Sequence, residues 1–191
     1  MPNSQSAAVE SIAAKTWKNG QNILHDVDVA LPGDHAMSMT KSHLAQLNVG
    51  RLLEPFGSGL AADFVAALDP INALVDATPG FVWRLTGLGG KDASSIDPCD
   101  NLVTNMTVWE SREAMWEFTY RSEHREFMQR RREWFMPQTE ASTVLWWISA
   151  GHIPTVFEAR ERLNRLREMG PTPEAFTFAH SYEPTGELVA V

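Results

Sequence analysis

One cysteine, two tyrosines and a shortage of positive charge mark this 191-residue chain. The lone thiol, Cys99, excludes an internal disulfide framework and any multi-cysteine zinc or iron–sulfur site. No apolar run reaches the ~18 residues that a membrane-spanning helix needs, so no membrane partner is expected. With 16 Lys+Arg against 24 Asp+Glu the formal net charge is −8, which weighs against nucleic acid as a partner. The run Arg130-Arg131-Arg132 does not change this, because the 10 Arg from Arg112 to Arg167 are interleaved with 8 Glu, the pattern of a solvated helical surface. GxGxxG, Walker A, GxSxG and HExxH motifs are missing, which removes the usual phosphate-binding, hydrolase and zinc-protease readings. His25-Asp26-Val27-Asp28 and Asp34-His35 have ligand-type side chains without a known metal spacing, so no metal site is predicted. Met1 to Ala14 lack the basic and apolar regions of a secretory signal, and a cytoplasmic location is expected.

What is present is a globular composition, 43% hydrophobic, with seven tryptophans. Large rings fill cores and also line pockets for flat ligands, and composition does not choose between these. Residues 1–41 are polar and small and read as an N-terminal extension. The domain proper spans 42–184, and 185–191 form a C-terminal tail.

Within the domain, alternation predicts a strand over Ser42 to Leu53. Leu60, Phe64, Leu68, Ile71 and Leu74 follow at helical spacing, interrupted by Asp69-Pro70, which predicts a kink or two short helices. Phe81 to Gly87 and Asn101 to Trp109 read as strands, separated by a Gly-, Ser- and Asp-rich loop (Leu88 to Asp100) expected to be mobile. Ser111 caps a long helix running to about Phe135, where Pro137 stops it. Val144 to Ser149 is a fourth strand, Thr155 and Glu158 form a capping box, and the helix they start ends at Gly170-Pro171. Ala175 to His180 reads as a last short strand. The predicted class is α+β: a ferredoxin-like β-α-β-β-α-β unit with an appended helix and strand.

Phe81-Val82-Trp83-Arg84-Leu85, Tyr120-Arg121-Ser122-Glu123-His124-Arg125, Arg131-Arg132-Glu133-Trp134-Phe135, and Trp146-Trp147 with Gly151-His152-Ile153-Pro154-Thr155 carry a resemblance over roughly Ser42 to Tyr182. They resemble an uncharacterised bacterial family of unknown function, itself similar to the dimeric α+β barrels of the antibiotic-biosynthesis-monooxygenase type. Pro70 departs from that pattern, which has a helix-compatible residue there. The resemblance implies two ferredoxin-like sheets paired across a two-fold axis, hence a homodimer, with ligand cavities between sheet and helices. Activities in that superfamily run from cofactor-free oxygenation of polyketide-like aromatics to haem chemistry and simple binding, and fold alone does not select one.

The long predicted helix places Trp116, Tyr120, His124, Phe127, Arg131 and Trp134 within an arc of about 80°. An inward face of rings that also holds Tyr120, His124 and Arg131 must pair its polar groups or border a wet cavity. His124 is either a hydrogen-bonded core histidine or a general base or haem ligand. Arg131 is either an ion-pair partner or an anchor for a substrate carboxylate, enolate or propionate. Trp146 and Trp147, adjacent on a strand, point to opposite faces, so that one can line the cavity. His152 stands at a strand end, either at a cavity mouth or bonded in its turn. Asn48 and Gln46 are polar on a half-buried strand, as cross-strand partners or as donors to a substrate oxygen. Trp83 lies in the second predicted strand and completes the candidate substrate-binding set.

Three functions fit. The first is a small monooxygenase-like oxidoreductase or tailoring enzyme acting on an aromatic or polyketide-like metabolite, with Tyr120, His124 and Arg131 in catalytic roles. The second is a non-catalytic binding module for a flat hydrophobic molecule. The third is a haem-binding protein; no other cofactor is predicted.

Overall fold

Side-chain alternation along β1 (Ser42–Arg51) sends Ala45 and Leu47 to one face and Leu44, Gln46 and Asn48 to the other. The computed structural model describes residues 41–55, 58–87, 94–97 and 101–189. The extension 1–40, with the His25, Asp26, Asp28, Asp34 and His35 pattern, lies outside the described residues. After β1 come α1 (Gly59–Asp76), β2 (Phe81–Arg84), β3 (Ser94–Asp97), β4 (Leu102–Trp109), α2 (Arg112–Arg121), α3 (His124–Trp134), β5 (Thr143–Ser149) and α4 (Val156–Met169). The architecture is mixed α+β: an antiparallel sheet in the order β2–β4–β1–β5 with helices packed on both faces. None of the helices is long and apolar enough to cross a membrane among the described residues.

β3 falls inside the stretch expected to be a loop. It pairs with the first half of β4 (Ser94↔Asn105 to Asp97↔Leu102), while β2 pairs with the second half (Phe81↔Trp109 to Arg84↔Thr107). β2 and β3 thus share one edge of β4 as two halves of an interrupted strand.

Each face of the sheet has its own core. Ala45, Leu47, Met106, Val108, Val144, Trp146 and Ile148 meet Ala159, Leu163 and Leu166 of α4. On the opposite face Leu44, Trp109 and Leu145 meet Val75, Met115, Phe118 and Phe176. Trp109 and Trp146, both fully buried, each contribute about 4–6 kcal/mol of apolar transfer free energy as an upper bound.

Three sequence expectations change. α1 runs through Pro70 as one helix, so of the kink or two short helices expected there the second is not formed; Ala66 and Pro70 are both exposed, so the carbonyl that loses its partner is open to water. The long helix over Ser111 to Phe135 is two helices. Ser122 adopts extended backbone (φ −94°, ψ −180°), its hydroxyl donates to the Phe118 carbonyl, and the same oxygen accepts from His124 N at 3.1 Å. One serine side chain therefore closes α2 and opens α3, the competition with helical hydrogen bonding that serine is prone to. The last strand, Ala175 to His180, reduces to a two-bond bridge between Leu145 and Phe176.

The α4 cap is as expected: Thr155 Oγ1 accepts from Glu158 N at 3.1 Å, and Gly170 closes the helix at φ +75°. The Glu158 carboxylate, however, accepts from Trp146 Nε1 at 3.0 Å and lies 2.8 Å from His152 Nε2.

Candidate functional site

Register along the sheet sets the floor of a cavity of about 480 Å³ that lies between the sheet and α1, α2 and α3. On this face the cross-strand rows read Leu44–Trp109, then Gln46–Thr107, then Asn48–Asn105 with Thr143, then Gly50–Val103. A polar band two rows deep thus crosses a face that is apolar above and below. A sheet face beneath helices is normally apolar, so these side chains need partners or a ligand.

The band is wired in one direction. Trp109 Nε1 can only donate, and it donates to Thr107 Oγ1 at 2.9 Å. Thr107 Oγ1 in turn donates to Gln46 Oε1 at 2.8 Å, which occupies one lone pair of that oxygen and leaves its NH₂ group. Asn48 Nδ2 donates to Thr143 Oγ1 at 2.6 Å, which frees the threonine proton. The Gln46 amide and the Thr143 hydroxyl therefore keep donors for the cavity, beside the carbonyl oxygens of Asn48 and Asn105.

The helices supply the walls. Phe64 lies 5.9 Å from Trp134 and 5.1 Å from Phe135, and Phe127 stacks on Trp134 at 6.3 Å, measured between ring centroids. Phe135 closes this end because Gly50 beneath it has no side chain; a Cβ there would stand 2.7 Å from the ring. Asn72 of α1 is buried, and its Nδ2 has no hydrogen-bond partner. Arg131 pairs with no carboxylate among the described residues; its Nη2 reaches Ser142 Oγ at 3.4 Å. Among the described residues the cavity lining contains no Asp or Glu.

His124 opens α3 at the cavity wall, stacked on Phe118 with centroids 4.7 Å apart. Burial pushes its imidazole below the ordinary value of 6.5, against a smaller opposing pull from the Thr119 carbonyl, 3.5 Å from Nδ1. The ring is therefore neutral at pH 7. With Nδ1 directed at that carbonyl as donor, Nε2 holds the lone pair.

The cavity brings together seven of the predicted residues: Gln46, Asn48, Tyr120, His124, Phe127, Arg131 and Trp134. The others lie elsewhere. Trp83 and Trp146 belong to the core under α4, and Trp147 packs on the opposite core with its Nε1 donating to the Tyr182 carbonyl. His152 is partly exposed beside Glu158. Trp116 is 42% exposed and does not line the cavity; its ring lies tilted at 45° against Tyr120 with centroids 4.3 Å apart. Sequence reasoning missed Asn72, Asn105, Thr107 and Thr143. The alternation Asn105-Met106-Thr107-Val108 held the signal for two of them; Asn72 left none, since a lone amide in a helix is ordinarily solvated.

Chemically, the site can hold a flat ring among aromatic walls, donate hydrogen bonds to its oxygens, balance a negative charge at Arg131 and accept a proton at His124. Among the described residues no group of three or more His, Cys, Asp or Glu is placed to hold a metal ion.

No curated protein matches the chain in sequence. A solved structure similar in part is the NE2512 protein of unknown function from Nitrosomonas europaea, 12% identical, covering 61% of this chain and 98% of that one with a TM-score of 0.38. A family model described as a domain of unknown function, DUF3291, matches residues 43–190, which takes in both cores and every wall of the cavity. The chain belongs to the DUF3291 family.

Proposed function

We propose that this chain binds a flat, largely apolar metabolite between its sheet and α1–α3 and acts on it as a monooxygenase-like tailoring enzyme, with His124 taking the first proton. The observation that supports this most is the pairing of a neutral, cavity-lining imidazole with the Arg131 guanidinium in a pocket walled by rings. A phenol or enol bound there loses its proton to His124 Nε2, and the imidazolium that results offsets the anion that forms. Such an electron-rich anion can reduce dioxygen, the co-reactant this reading requires, with one oxygen atom entering the substrate and the other leaving as water.

The deciding experiment uses His124→Ala, with a melting curve and an activity or binding assay on the same sample. Normal folding with lost function supports the reading. A large drop in melting temperature with undiminished function per folded molecule returns His124 to the core. If ligand binds tightly and no turnover follows, the chain is a binding module for a flat hydrophobic molecule. Haem fits less well, since two propionates would face a single guanidinium; a Soret band after growth with haem available would favour it.

With β2 and β3 taken as one interrupted strand, the order of elements is that of a ferredoxin-like unit, and we place the fold there. Two copies would assemble in the cytoplasm as a homodimer; α4 already covers the sheet face on which a dimeric α+β barrel would close, so the contact would form over α4 and its neighbours rather than sheet to sheet. Exposed Val82, Ile153 and Phe157, the last 75% accessible, support a covering partner. Sedimentation as a monomer at micromolar concentration would contradict this.

A further inference from the structure

Cavity ligands can be sorted by the sign and direction of the polar groups that meet them. Here the fixed directions leave donors for a ligand. The Trp109 indole must donate, so Thr107 donates its hydroxyl hydrogen bond to Gln46 Oε1 and the Gln46 NH₂ is left for the cavity. Asn72, 5% exposed, holds an NH₂ with no acceptor among the described residues, a state that costs free energy unless something else accepts from it. Arg131 lies half-buried on the same lining without a carboxylate partner among those residues, in a chain whose net charge is −8. Among the described residues no Asp or Glu lines the cavity.

We infer that the ligand is a monoanionic aromatic acid, its ring held among Phe64, Phe127 and Trp134 and its carboxylate received by Arg131 and by the amides of Asn72 and Gln46. This rests on the small-molecule reading of the cavity given above and narrows it to a substrate class. The planar guanidinium suits a carboxylate held through two parallel hydrogen bonds, and a second carboxylate would find no second cation. At about 480 Å³ the cavity takes a molecule of two or three fused rings.

The test is calorimetric titration of the whole chain with two probes of nearly equal shape, 2-naphthoate and 2-naphthalenemethanol. The wild type binds the acid at least about ten-fold more tightly than the alcohol, the range for a hydrogen bond to a charged group. Arg131→Gln removes most of that preference and leaves the alcohol's affinity within about two-fold. Asn72→Leu weakens the acid while raising the melting temperature, because an unpaired buried amide is replaced by an apolar side chain of similar size. Equal binding of the two probes by the wild type, or unchanged naphthoate affinity in both variants, overturns the inference and leaves the small-molecule reading standing. Failure of both probes to bind the wild type overturns the reading and the inference together.

Discussion

Glu158 Oε1 accepts a hydrogen bond from Trp146 Nε1 at 3.0 Å, tying the first turn of α4 to the middle of β5. Trp146 is fully buried, so no water can take over when that acceptor is lost. Glu158→Ala should therefore destabilise the fold by about 1–3 kcal/mol in chemical denaturation. Burial pulls the Glu158 carboxyl up, but hydrogen bonds from His152 and Trp146 and the charges of His152 and Arg162 outweigh it, and the group ends below its ordinary value of 4.5. A carboxyl depressed by folding stabilises above its unfolded value and loses that contribution as pH falls through the folded one. The gap between wild type and Glu158→Ala should narrow below about pH 4.5.

Thr107→Val keeps the shape of the floor and removes its relay. Trp109 Nε1 loses its acceptor and Gln46 Oε1 its donor, both in buried surroundings. A loss of about 1–3 kcal/mol in unfolding free energy is expected, together with weaker ligand binding as the Gln46 amide becomes free to turn. Unchanged stability would show that the two groups find other partners.

His124 gives the site a pH signature of its own. Its folded value is lowered chiefly by burial, so its contribution to stability is complete above about 6.5 and falls as pH drops from there toward the folded value. His124→Phe, which preserves stacking on Phe118, should flatten the fall in melting temperature between about pH 7 and pH 5. Parallel pH profiles for wild type and variant would contradict the assignment.

Gly50→Ala places a Cβ 2.7 Å from Phe135 Cδ1 and 2.9 Å from Cε1. The ring must move, and overpacking of this kind costs about 1–3 kcal/mol. Phe135 also lines the cavity, so ligand affinity should change with the melting temperature. The two readings come from one thermal-shift series with and without ligand.

The sequence showed its strands plainly where alternation was long, as in β1 and β4, and the Thr155 cap of α4 needed only local chemistry. It misled where one side chain overrode periodicity. The spacing from Trp116 to Trp134 is regular, yet the Ser122 hydroxyl breaks the helix, and Trp116 does not join Tyr120, His124 and Arg131 in the cavity lining. Pro70 does not split α1 into two helices, because solvent exposure makes its missing hydrogen bond tolerable. The polar floor stayed hidden because it exists only across strands. Gln46 and Thr107 are 61 residues apart, and nothing local shows that they are neighbours.

The most direct test of the central claim is a crystal structure of the chain grown with 2-naphthoate. The account requires the ring system in the cavity between Phe64, Phe127 and Trp134, with a carboxylate oxygen about 2.8 Å from the Arg131 guanidinium. Naphthoate lodged instead against the exposed ring of Trp116, outside the cavity, with the cavity holding only water, would contradict it.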